Sequence, residues 1–196
     1  EDALKRFGLK AGCKTVLLIG GSLGARTLNE SVLRNLKTIG DSDVQFIWQT
    51  GGYYFADIQE QLREKGKPDN LYVTDFISGM EEAYAAADLV ISRAGASSIS
   101  ELCLLGKPVI LVPSPNVAED HQTKNALALV NKQAALYVRD AEAPDTLMRV
   151  AMETVSDEEK LAALSRNICK LAFTDSAARI AEEVYRLAVA YRERKR

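Results

Sequence analysis

Arg93, Gly95, Ser97, Ser98 and Glu101 crowd into the stretch RAGASSISE, which lies between two apolar runs. A cation, a glycine and hydroxyls at a helix start suit a diphosphate, because the first N–H groups of a helix are unbonded and its positive dipole end faces the anion. A carboxylate one turn further on suits a pair of ribose hydroxyls. The same residues also have a local reading. Ser98 and Glu101 have the S-x-x-E spacing of a capping box, in which each side chain satisfies a backbone N–H at the helix start. That reading accounts for Ser98 and Glu101 and leaves Arg93, Gly95 and Ser97 without a role. The motif alone does not decide between the two.

Further polar clusters have the same character. GGSLGA (residues 20–25) follows an apolar run and precedes a helical pattern. Its glycines allow a tight turn and a close approach of backbone to ligand. It is neither G-x-G-x-x-G nor a P-loop, so a plain strand-to-helix turn stays open. EDHQTKNA (residues 119–126) sets His121, Gln122 and Asn125 around the first turns of one helix. Amides donate and accept, which suits sugar hydroxyls. Here the local reading makes Asp120 an N-cap and leaves the amides in solvent.

These clusters need a frame, and the chain alternates in a way that supplies one. Apolar, β-branched runs at residues 14–21, 44–50, 71–76, 88–92, 107–113 and 134–140 read as six strands. Helical spacings follow at 25–39, 53–66, 79–87, 98–106 and 121–132, and three more helices close the chain from residue 144. Alternating strands and helices predict an α/β fold: a Rossmann-like parallel six-stranded sheet with helices on both faces and extra C-terminal helices. Ligands in such sheets sit at the carboxyl ends of the strands, near the switch point. The clusters GGSLGA, QTGGYY, DFISGM, SRAGASSISE and PSPNVAEDHQTKNA each follow a strand, so all five are expected on one edge.

Bulk properties narrow the function classes. The 196 residues are 27% charged and 47% hydrophobic with a net charge of −2, which is ordinary globular usage and argues against a nucleic-acid partner. Cys13, Cys103 and Cys169 are odd in number and far apart, and read as reduced thiols of a cytoplasmic protein. With one histidine and no H-E-x-x-H, no metal site is expected. No signal peptide and no apolar run long enough for a membrane span is seen. The chain opens at EDALKRFGLKAG without a methionine, so a piece of a longer protein is expected.

In their order and intervals, GGSLGA, DFIS, SRAGASSISE and EDHQTKNA resemble the C-terminal half of the MurG family, bacterial N-acetylglucosaminyltransferases of peptidoglycan synthesis with the two-domain GT-B architecture. The likeness runs from about residue 14 to the last helix. It implies that residues 1–196 form a single nucleotide-sugar-binding domain, one half of a GT-B fold, that holds the donor UDP-N-acetylglucosamine. Ser22 would face the donor phosphates, and Ile77 would pair with uracil through its backbone. Arg93 would lie beside the nucleotide. The run Ala96, Ser97, Ser98, Ile99, Ser100 and Glu101 would meet the diphosphate and sugar and, at Glu101, the ribose. Gln122 and Asn125 would read hydroxyls of the sugar ring, with His121 beside them. Ser98 stands where the family usually has a threonine, which keeps the hydroxyl.

The resemblance also implies what lies elsewhere. The catalytic base, the lipid I acceptor site and the membrane contact belong to an N-terminal domain that nothing in this chain resembles, so no catalytic residue is expected here. The whole enzyme would be peripheral on the cytoplasmic face of the inner membrane and would make lipid II. Neither cofactor nor metal is implied, since backbone N–H groups and Arg93 can meet the diphosphate charge. Two alternatives stand beside this reading: a natural donor subunit of a two-chain N-acetylglucosaminyltransferase, and a nucleotide-binding module without transferase activity.

Overall fold

The computed structural model of the chain describes residues 2–194. Six strands pair in parallel in the order β3-β2-β1-β4-β5-β6: β1 (Thr15–Ile19), β2 (Gln45–Gln49), β3 (Leu71–Thr74), β4 (Leu89–Ser92), β5 (Val109–Leu111) and β6 (Leu136–Tyr137). The connecting helices are α1 (Asp2–Arg6), α2 (Arg26–Arg34), α3 (Leu36–Gly40), α4 (Phe55–Lys65), α5 (Met80–Ala86), α6 (Ala96–Leu105) and α7 (His121–Val130). Then come α8 (Ala143–Val155), α9 (Glu158–Cys169) and α10 (Ser176–Arg194). This is the doubly covered parallel sheet that the alternation predicts.

The strands are apolar at their centres because both faces of the sheet are covered. Alternate residues supply the two cores. Val16, Leu18, Phe46, Trp48 and Ile91 pack under Leu28 and Val32 of α2 and Leu147, Ala151 and Val155 of α8. Leu17, Ile19, Ile47, Val90 and Val109 pack against Leu102 of α6, Ala126 of α7 and Ile168 of α9. Each such side chain contributes roughly 1.5–3 kcal/mol on leaving water.

Two elements differ from the sequence pattern. The helix expected over residues 25–39 breaks at Asn35, whose Nδ2 donates to the Ser31 carbonyl at 2.8 Å. An asparagine that bonds its own backbone competes with the helix, and here it separates α2 from α3. The short α1 has no buried residue and so no apolar periodicity by which to be recognised. Along α10, Val184, Leu187 and Tyr191 are exposed.

Candidate functional site

Strand order reverses beside β1, which pairs with β2 on one side and with β4 on the other. Loops leaving β1 and β4 therefore part at this point, and open α/β sheets bind ligands in the crevice between such loops. A cleft of about 660 Å³ lies there, lined from the carboxyl ends of several strands. Its volume falls within the range of small-molecule sites.

On one side stands the β1–α2 loop. Ser22 is exposed at its turn and lines the cleft. The loop is held by backbone packed on backbone. Gly24 has φ +83°, and a Cβ there would run into the Thr50 carbonyl oxygen; Gly51 has φ +81°, and its Cβ would run into Gly24. Only glycine satisfies both demands. Beneath them, buried Asn29 donates to the Thr50 carbonyl at 2.9 Å and accepts from the Trp48 indole at 2.9 Å. Gln49 donates to the Gly21 carbonyl at 3.3 Å.

Opposite stands the start of α6. Gly95, in extended backbone with φ −70° and ψ 145°, is its N-cap and supplies no side-chain cap. The first backbone bond of the helix runs from Ile99 N–H to the Gly95 carbonyl at 3.0 Å. The N–H groups of Ala96, Ser97 and Ser98 come before that bond and are the groups such a helix offers an anion. This corrects the capping-box reading, because α6 begins before Ser98 and Ser98 lies inside the helix. Glu101 instead accepts from the Tyr84 hydroxyl at 3.2 Å. Burial first, and the Glu101 charge second, raise the Tyr84 pKa, which keeps the phenol a donor. At the far end Gly106 takes the left-handed conformation, and Lys107 N–H reaches the Leu102 carbonyl at 3.1 Å, so the helix stops there.

The remaining candidates divide. Gly95, Ser98, Glu101, Arg93 and Gln122 line the cleft with Ser22, while Ala96, Ser97, Ile99, Ser100, Ile77, His121 and Asn125 do not. Ser100 turns its hydroxyl back to the Ala96 carbonyl at 2.9 Å. Ile77 buries its side chain, and no hydrogen bond to its backbone N–H or carbonyl occurs among the described residues. His121 is exposed at the start of α7. Asp120 does not cap that helix by its side chain; it and Glu119 adopt left-handed backbone, with φ of 51° and 54°.

Arg93 was expected to bring a cation to the diphosphate. Its guanidinium is instead paired with Asp140 and donates to the carbonyls of Val112 at 3.0 Å and Pro113 at 3.2 Å. The charge is matched within the protein. Gln122 and Asn125 likewise have work of their own. Gln122 Oε1 accepts from Ala94 N–H at 3.1 Å and Ser114 N–H at 2.9 Å, and Asn125 Nδ2 donates to the Ala94 carbonyl at 3.1 Å. The two amides clasp the peptide that leads into α6. Gln122→Ala is therefore expected to lower the unfolding free energy by about 2 kcal/mol, since two partly buried N–H groups lose their acceptor. Urea denaturation checks this, and an unchanged midpoint would contradict it.

Several cleft residues were not singled out individually in the sequence. Phe76, Met80 and Tyr84 line it from the β3–α5 connection and α5, Ser114 and Asn116 from the segment after β5, and Asp140 from the turn after β6. Of these, Phe76 and Met80 of DFISGM and the PSPN segment were foreseen only as parts of clusters following a strand, and Tyr84 and Asp140 not at all.

The glycosyltransferase family 28 C-terminal domain matches residues 15–183. A UDP-N-acetylglucosamine--N-acetylmuramyl-(pentapeptide) pyrophosphoryl-undecaprenol N-acetylglucosamine transferase of Bacteroides thetaiotaomicron is 63% identical over 189 residues, which are 96% of this chain and 51% of that protein. A transferase of the same name from Cytophaga hutchinsonii is 50% identical over 187 residues, 95% of this chain and 49% of that protein. Among solved structures, MurG of Acinetobacter baumannii superposes with a TM-score of 0.77 at 27% identity, over 94% of this chain and 53% of that one. The S. aureus MnaA–UDP co-structure, at 11% identity, shares the fold with a TM-score of 0.68 over 96% of this chain and 49% of that one. The chain spans about half the length of the curated relatives it matches. By sequence and fold alike, it belongs to the glycosyltransferase family 28 C-terminal domains.

Proposed function

We propose that this chain is the donor-binding half of an inverting N-acetylglucosaminyltransferase that uses UDP-N-acetylglucosamine and lipid I. The observation that carries the reading is the uncapped start of α6. Its unbonded N–H groups stand at the carboxyl end of a central strand, across a cleft from the glycine loop, with Glu101 one turn in. The curated relatives are named as transferases of N-acetylglucosamine from its UDP conjugate.

In the whole enzyme, an acceptor hydroxyl attacks the anomeric carbon, the bond from that carbon to the diphosphate oxygen breaks, and the proton passes to a base outside this chain. Charge grows on the departing UDP. The N–H groups of Ala96, Ser97 and Ser98 and the dipole of α6 are fixed donors for that charge, and such preorganised donors act strongly where water is excluded. Arg93 acts through Asp140 rather than as a free cation. Glu101 takes the ribose hydroxyls, and the Tyr84 hydroxyl orients it. The nucleotide-sugar-binding domain then spans residues 1–196. Acceptor binding and contact with the cytoplasmic face of the membrane fall to the other half. Among the described residues, no helix is long and apolar enough to cross a membrane.

Glu101→Gln separates a ligand contact from a structural one. Glutamine still accepts from Tyr84, so stability stays close to that of the unmodified chain. Hydrogen bonds to a charged group are worth roughly 1.5–3 kcal/mol, so UDP affinity is expected to fall about tenfold or more. Calorimetric titration of both proteins with UDP decides it. Equal affinities would remove Glu101 from the site.

A further inference from the structure

Thr27, Arg93 and Asp140 are distant in sequence and form one hydrogen-bonded cluster in the wall of the cleft. Asp140 Oδ1 accepts from the Thr27 hydroxyl at 2.5 Å and from the Arg93 guanidinium, and Arg93 Nη2 also reaches Thr27 Oγ1 at 3.1 Å. Side chains of Arg93 and Asp140 are 16% and 15% exposed. With the Arg93 bonds to the carbonyls of Val112 and Pro113, four segments meet. They are the first turn of α2, the lead into α6, the end of β5 and the turn that begins at Asp140.

We propose that this cluster is a positioning device that sets the separation of the two helix starts, α2 and α6, across the cleft, and so tunes the affinity for a diphosphate. The proposal rests on the donor-site reading above. Its grounds are separate. Thr27 stands in the first turn of α2, two residues after the glycine loop that carries Ser22, and Arg93 stands three residues ahead of Ala96. Both helices begin without a side-chain cap, and residues at both starts line the same cleft: Ala25, Arg26 and Thr27 at α2, Gly95 and Ser98 at α6. An anion bridging two such starts is bound well only at the right spacing, because charge-assisted hydrogen bonds weaken steeply with distance and angle. Net charge gives no alternative use for the cluster: Arg93 and Asp140 cancel, and Thr27 is neutral. A buried ion pair is weak as a source of stability and better suited to fixing register.

The test compares UDP with uridine, which lacks the phosphates, on the folded chain. Thr27→Val removes the hydroxyl at nearly constant volume, and Thr27→Ser restores it. Thr27→Val is expected to weaken UDP about fivefold, the effect of one lost hydrogen bond, while uridine binding followed by chemical-shift titration stays unchanged. Thr27→Ser should return UDP affinity to that of the unmodified chain. Asp140→Asn should also weaken UDP. Tighter UDP binding by Asp140→Asn would overturn the proposal, because it would mean that the released Arg93 charge clamps the phosphates directly. Equal losses of UDP and uridine in Thr27→Val, or no loss of either, would overturn it too. Failure of the unmodified chain to bind UDP would overturn the donor-site reading and this proposal with it.

Discussion

Replacing Gly24 with valine is expected to lower the unfolding free energy by about 4 kcal/mol and to abolish measurable UDP binding, since left-handed backbone costs an L-residue roughly 1–2 kcal/mol and overpacking a further 1–3. Both terms apply at this one position. Gly24 has φ +83°, and its missing Cβ is the space that the Thr50 carbonyl oxygen occupies. The neighbouring loop cannot move away, because Asn29 holds that carbonyl from below. Gly21 provides the control. It has φ +86° and nothing within contact of a Cβ, so Gly21→Ala should cost only the backbone preference, about 1–2 kcal/mol. Denaturant midpoints of the two variants check the contrast, and equal losses would contradict the packing argument.

Trp48→Ala carries the second large expected effect. Trp48 is fully buried, and its indole N–H is the donor to Asn29 Oδ1. Truncating a buried tryptophan costs roughly 3–5 kcal/mol. The orphaned Asn29 acceptor adds about 1–3 kcal/mol. A native domain has only about 5–15 kcal/mol in hand, so this variant is expected to be largely unfolded or close to it. Trp48→Phe separates the two terms. It refills most of the volume and leaves only the orphaned oxygen, so its loss should be near the smaller figure. Guanidinium unfolding with an unchanged slope is the check. A Phe variant as unstable as the Ala variant would show that the hydrogen bond, and not the volume, dominates.

Much of the fold was legible because burial is written in the strands. TVLLI, QFIWQ and LVIS are buried along their whole length with apolar centres, and short runs of this kind bounded by polar or glycine-containing segments read as strands. The clusters that follow the strands were legible for a related reason: a buried sheet leaves only its edges for polar residues. What escaped the sequence were partnerships across that edge. Nothing in RAGASSISE shows that Arg93 is committed to an aspartate in another element, because that pairing depends on how β5 and β6 are placed. The spacing of Ser98 and Glu101 fits a capping box, yet Gly95 takes the N-cap position and the helix begins a residue later at Ala96. Residue type, placement at a helix start and the family resemblance all point Gln122 and Asn125 toward a ligand, and none of them shows what else lies within reach. Amides bond backbone as readily as sugars, and here the backbone of Ala94 is within their reach.

The crystal structure of this chain soaked with UDP is the most direct measurement. The diphosphate is expected against the N–H groups of Ala96, Ser97 and Ser98, with Ser22 on the opposite wall, the ribose on Glu101 and the base beside Ile77. UDP seated elsewhere on the chain, or in this cleft with its phosphates turned away from the start of α6, would contradict the assignment.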